Sequence, residues 1–175
     1  MTARDTTGRP LRRSPVALRT VGAIATTAVA LGALTGCSFF GKNDKTTVVS
    51  VLKAKPGDCL VAPKAITAEV TNLTVVPCTQ PHQQEVYALA AYPLPAGSET
   101  SAPYPGEAVL KAFADGACLG AFAGYVGSDY RDSSLFFTYL LPSARGWQAG
   151  DDRDVTCIIT TTGSTRTSSV KGSKL

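Results

Sequence analysis

Histidine is almost missing from this sequence: His82 is the only one in 175 residues. A metal site built from several imidazoles is therefore excluded. No two of the five cysteines stand at the C-x-x-C spacing of a zinc site either, and no metal or cofactor is expected. There is no Gly-rich phosphate loop and no ordered Ser-His-Asp set. No pair of carboxylates is singled out for glycoside hydrolysis, which needs two in defined roles. Arginine-rich runs and basic stretches interleaved with aromatics are absent, so nucleic acid is not an expected partner.

The overall charge of +4 misleads on this point. Residues 1–36 hold five of the 17 Lys and Arg and one of the 13 Asp and Glu, leaving twelve of each from Cys37 onward. The remaining 139 residues are near neutral.

The N-terminus reads as an address. Arg4, Arg9, Arg12, Arg13 and Arg19 precede an uncharged stretch of fourteen residues, Val21 to Leu34. That length suits the apolar region of a signal peptide and is short for a membrane span, which needs about 20 residues. Leu34-Thr35-Gly36-Cys37 closes the stretch and resembles the lipobox of bacterial lipoproteins. The resemblance implies cleavage before Cys37 and a diacylglycerol group on its sulfur, the side chain most easily alkylated. Two acyl chains would hold the protein on a bilayer, where one gives only marginal binding. Arg12-Arg13 hints at twin-arginine export, but Ser14-Pro15-Val16 fits that pattern poorly and ordinary secretion is expected.

The expected organisation is a lipoprotein signal peptide at 1–36, a lipidated tether at 37–46 and one domain at 47–165. Residues 166–175, at the end of a run rich in Ser, Thr, Gly and Lys, read as a flexible tail. The other four cysteines are Cys59, Cys78, Cys118 and Cys157. An even number in an exported domain of this size predicts two disulfides, with three connectivities open.

The hydrophobic pattern predicts an α+β domain, a mainly antiparallel sheet with one packed amphipathic helix, in the order β-β-β-α-β-β. Strands are expected over 47–53, 69–76, 85–92, 135–141 and 154–161. Val86, Ala88 and Ala90 are placed on one side of the third. Leu110, Phe113, Ala114, Ala117, Cys118, Ala121, Phe122 and Tyr125 form a helical apolar stripe, with Pro105 near its start and Gly127 as its C-terminal cap. Cys118 lies on that stripe. Cys157 alternates with Val155 and Ile159, which favours a Cys118–Cys157 bond and leaves Cys59–Cys78 as the second. Gly116, Gly120 and Gly124 recur every four residues of the helix. Close approach of another backbone would account for them, but a merely Ala/Gly-rich composition is the simpler reading.

Several short motifs follow one another: Gly57-Asp58-Cys59; Val76-Pro77-Cys78 with Pro81-His82 and Glu85-Val86; the Cys118 helix ending Phe122-Ala123-Gly124-Tyr125-Val126-Gly127; Pro142 with Trp147; and Gly150-Asp151 running to Val155-Thr156-Cys157. Together they resemble the septum-formation domain family of actinobacterial envelope proteins, over about 50–165. One segment departs from the pattern: Asp151-Asp152-Arg153 is one residue longer than the family's single Asp before Arg. The resemblance implies a role near cell division or the cell envelope and transfers no catalytic residue.

The residues themselves offer little chemistry. Cys78 with His82 as base would permit acyl transfer, but a cysteine held in a disulfide has no thiolate to attack with. Asp151, Asp152 and Asp154 lack the spacing of a calcium loop and read as a solvated turn partly neutralised by Arg153. His82, Glu85 and Trp147 are the candidate recognition residues, with Trp147 also read as a core aromatic. The expected function is a non-enzymatic envelope interaction module. It would be anchored to the lipid bilayer through acylated Cys37, on the extracytoplasmic face of the cell membrane, with envelope or division proteins as partners. The alternatives are a lipoprotein that binds a small ligand or cell-wall fragment and, less favoured, a Cys–His enzyme.

Overall fold

β-branched and apolar runs build six strands, and the i, i+3, i+4 stripe builds one long helix. The structure is a computed structural model and describes residues 45–65, 69–98, 102–149 and 152–175. The expected leader, Cys37, most of the tether and Asp151 lie outside the described residues.

The strands are β1 (Thr47–Ser50), β2 (Cys59–Val61), β3 (Asn72–Val76), β4 (Gln84–Ala91), β5 (Phe136–Leu140) and β6 (Asp154–Thr160). The helices are α1 (Glu107–Val126) and α2 (Ala144–Ala149). The sheet runs β1-β3-β2-β4-β6-β5, and every pairing is antiparallel. The expected first strand stops at Ser50. There the Ser50 hydroxyl accepts from the Leu52 amide and a 3-10 turn takes over at Val51–Lys53.

β6 is buried on both faces. Val155, Cys157 and Ile159 face α1, where they join Ala114, Cys118, Phe122 and Val126. Ile158 faces the other way, with Ala54, Leu60, Leu73 and Val86. The placement of Val86 corrects the expectation that it shares a side with Ala88 and Ala90. Val86 pairs with Ile158 and Ala88 with Cys157, so Tyr87 is an extra residue in β4. Such a bulge flips the side-chain alternation beyond it. Val86 thus points away from α1, while Tyr87 turns inward and donates its hydroxyl to the Cys118 carbonyl at 2.8 Å.

By length and hydropathy α1 resembles a membrane span, but its buried stripe makes it the core helix of this domain. Phe122 meets the rings of Tyr87, Tyr130 and Phe137. Gly127 ends the helix with φ 84°, and its amide donates to Ala123 O. A left-handed cap of this kind favours a residue without Cβ. Among the described residues nothing stands within 4 Å of a Cβ built on Gly116, Gly120 or Gly124, so no backbone there approaches them.

Both disulfides are formed, Cys59–Cys78 and Cys118–Cys157, with Cα–Cα distances of 5.2 and 5.5 Å. They close 19 and 39 residues of chain. On loop-entropy grounds they contribute roughly 3 and 4 kcal/mol.

Residues 166–175 are not the flexible tail expected from their composition. Arg166 and His82 exchange both backbone hydrogen bonds in a β-bridge. Val170 is buried in the α1 core cluster. The amides of Gly172 and Lys174 donate to the carbonyls of Tyr125 and Val126, which the end of α1 leaves without partners. The Ser133 hydroxyl donates to Leu175 O at 2.7 Å.

Candidate functional site

Glu85 sits at the start of β4 on the α1 face, 2% exposed. Its Oε1 accepts from the hydroxyls of Tyr125 and Ser169, both at 2.6 Å. Its Oε2 accepts from the Val170 amide at 2.8 Å. A buried carboxylate needs such donors, and here they come from three places in the chain. Burial raises the Tyr125 phenol above its usual value, and the hydrogen bond to Glu85 raises it further.

His82 lies one turn of chain before Glu85 and is also sealed, at 1% exposure. Its Nδ1 is 2.8 Å from Gln80 O. Because a carbonyl can only accept, Nδ1 donates to it, and in the neutral ring Nε2 is then an acceptor. Nε2 is buried and has no hydrogen-bond partner among the described residues. A ring nitrogen of His82, the sulfur of Cys59 and a carboxylate oxygen of Glu85 lie within 4.8 Å of one another.

The turn before Cys59 is pinned to β4. Gly57 takes φ 97°, its amide donates to Val86 O, and the Val86 amide donates to Asp58 O. Asp58 closes the turn by accepting from the Lys55 amide. This turn places Cys59 against the polar cluster and leaves Cys78 nearer the surface.

Trp147 belongs to a different cluster. It is 2% exposed on α2 and meets the rings of Tyr92 and Tyr104 edge-on. Its Nε1 donates to Ala102 O at 2.8 Å. The Arg153 guanidinium stacks 4.0 Å from the Trp147 ring centre and donates to Trp147 O. Arg153 is thus committed to the indole rather than only neutralising the acidic turn, as the sequence suggests.

Beside α2 a cleft of ≈ 910 Å³ crosses the sheet face turned away from α1. Leu89, Thr156 and Leu140 form one row across its floor. Leu52, Arg145 and Asp152 stand around it. Burial holds the Asp152 carboxyl above its ordinary value, with the charge of Asp154 adding to the effect and a backbone hydrogen bond from Asp154 and the nearby Arg153 opposing it.

The septum formation family matches residues 56–174. The chain belongs to this family. No curated protein and no solved structure matches it. The match extends through the C-terminal segment, in keeping with its place in the fold. For a septum formation domain, two disulfides point to an oxidising, extracytoplasmic compartment.

Of the candidate recognition residues, His82 and Glu85 come together and Trp147 packs elsewhere, and all three are buried. None presents a side chain to a partner at the surface. Tyr125, Ser169 and Val170, which complete the Glu85 cluster, carry no sequence signal for that role. Val170, the one aliphatic residue between Ile159 and Leu175, is the hint that the segment packs.

Proposed function

We propose that this septum formation domain is a binding module of the cell envelope, anchored to the bilayer by acylated Cys37 and active in division through protein contacts rather than catalysis. The observation that carries the reading is the closed Cys59–Cys78 bond beside the buried His82. Both sulfurs are bonded to each other and the imidazole is out of solvent, so the one nucleophile–base pair suggested by the sequence has no thiolate to offer. The test compares the full chain with Cys37→Ala in the cell. The reading expects the wild type at the membrane and at septa, with envelope or division proteins recovered by cross-linking. It expects Cys37→Ala to be released from the membrane. Membrane retention of Cys37→Ala would remove the anchor. Normal septa in a deletion strain would remove the division role.

A second reading rests on the cleft over Leu89, Thr156 and Leu140. Its volume falls in the range of small-ligand sites, and Arg153, which stacks on Trp147, also lines it. A cell-wall fragment bound there would change the emission of the single tryptophan. A saturable change on titration with soluble wall fragments favours this reading, and a flat titration removes it.

A further inference from the structure

We infer that the Cys59–Cys78 bond is a thiol-exchange site, opened by an external dithiol at Cys78, with His82 stabilising the thiol that Cys59 becomes. The inference concerns the open state of the bond whose closed state carries the reading above. It begins with the asymmetry of the bond. Cys59 is 1% exposed, whereas Cys78 is only partly buried. An incoming thiolate therefore reaches the sulfur of Cys78 and expels that of Cys59.

The second observation is the orphan Nε2 of His82. In the neutral ring it is an acceptor held out of water, with no donor among the described residues, and leaving such a group unpaired is unfavourable. Glu85 cannot relieve it, because a carboxylate donates nothing and its oxygens already serve Tyr125, Ser169 and Val170. Arg166, bridged to His82 through the backbone, makes no hydrogen bond from its own buried Nε among the described residues. In the disulfide state the Cys59 sulfur has no proton to give. Reduction creates a donor in the same cluster, an S–H on Cys59, whose sulfur lies within 4.8 Å of a His82 ring nitrogen. The unpaired acceptor thus belongs to the oxidised state alone, and pairing it stabilises the reduced one.

The exchange balances without any group beyond the dithiol. Its thiolate bonds to Cys78 Sγ as the Cys59–Cys78 bond breaks, and Cys59 leaves as a thiolate and takes up a proton. The second thiol of the reagent then attacks the mixed disulfide and releases Cys78. Two electrons and two protons pass to the protein, and the dithiol leaves as a cyclic disulfide. Cys118–Cys157 has both residues at 0% exposure and stays closed.

The test equilibrates the full chain with mixtures of reduced and oxidised dithiothreitol, alkylates the free thiols and maps the peptides. Cys59 and Cys78 are expected to open in mixtures that leave Cys118 and Cys157 bonded. In His82→Asn, which keeps a donor toward Gln80 O but lacks Nε2, the equilibrium should move about tenfold toward the disulfide, or about 30 mV. Equal constants for the two proteins would overturn the inference. A second reading needs no variant: with glutathione, the wild-type mixed disulfide should map to Cys78. A mixed disulfide at Cys59, or opening of Cys118–Cys157 first, would overturn it equally.

Discussion

Glu85 and Val170 are joined by a 2.8 Å hydrogen bond across 85 residues of chain, from the Val170 amide to the Glu85 carboxylate. The bond binds the last segment of the chain to the first residues of β4, and Tyr125 and Ser169 complete the same carboxylate. Hydrogen bonds to a charged, buried acceptor are among the stronger ones. Glu85→Gln replaces one acceptor oxygen with an NH₂ that faces donors. The expected loss is about 2–3 kcal/mol of stability, read by urea denaturation. Hydrogen exchange should quicken at the amides of Val170, Gly172 and Lys174 ahead of those in β6. A variant as stable as the wild type would show that the carboxylate is not what holds the segment.

Removing residues 166–175 separates a tail from a structural element. A flexible tail can be cut without consequence. Here the cut would uncover the core around Val170, strip Glu85 of two donors and leave the last carbonyls of α1 unpaired. Burial of one valine alone contributes about 1.5–3 kcal/mol. A chain ending at Thr165 is expected to lose more than about 3 kcal/mol, with its thermal transition broadened or absent. Unchanged melting would return the segment to the status of a tail.

Legibility in the sequence followed the range of the signal. The apolar stripe from Leu110 to Tyr125 has an unambiguous period, and α1 spans it with Gly127 as its cap. The disulfide partner of Cys118 could be read because Cys157 alternates with Val155 and Ile159 in a regular strand. β2 was hidden because three residues carry no alternation. The bulge at Tyr87 was hidden because alternation cannot show an added residue, and it moved Val86 to the other face. The role of 166–175 was hidden for a different reason. Its contacts run mostly through backbone amides, which composition does not record. For the candidate site, the pairing of His82 with Glu85 was visible from their spacing. Their burial, and the presence of Cys59 beside them, came from the turn at Gly57 and from the chain end.

Asp152 supplies a pH test with a definite sign. Its carboxyl is held above the ordinary value chiefly by burial, so the folded state disfavours the charged form. The associated stability is complete below the unfolded carboxyl's range and is lost as pH rises through the folded value. Asp152→Asn removes that loss and keeps an oxygen to accept from Asp154. At pH 7 the variant should be the more stable protein, by under about 1 kcal/mol, since solvent screens a half-exposed group. At pH 3 the two should coincide. A variant less stable at pH 7, or a difference independent of pH, would contradict the assignment of burial as the cause.

Gly116, Gly120 and Gly124 give the prediction with the opposite direction from most core substitutions. Glycine inside a helix is less favourable than alanine by up to about 1 kcal/mol, because the unfolded chain has more freedom to lose. Such glycines are normally explained by a neighbour too close for a Cβ. Among the described residues nothing lies within 4 Å of a Cβ at any of the three, and all three are exposed. The triple substitution to alanine should therefore stabilise the isolated domain by about 2 kcal/mol, seen as a higher urea midpoint with an unchanged slope. A destabilised triple variant would mean that α1 packs against its surroundings more closely than the fold described here. A stabilised one would show that the fold itself does not require glycine at these positions, and that the domain carries a helix weaker than its own packing demands.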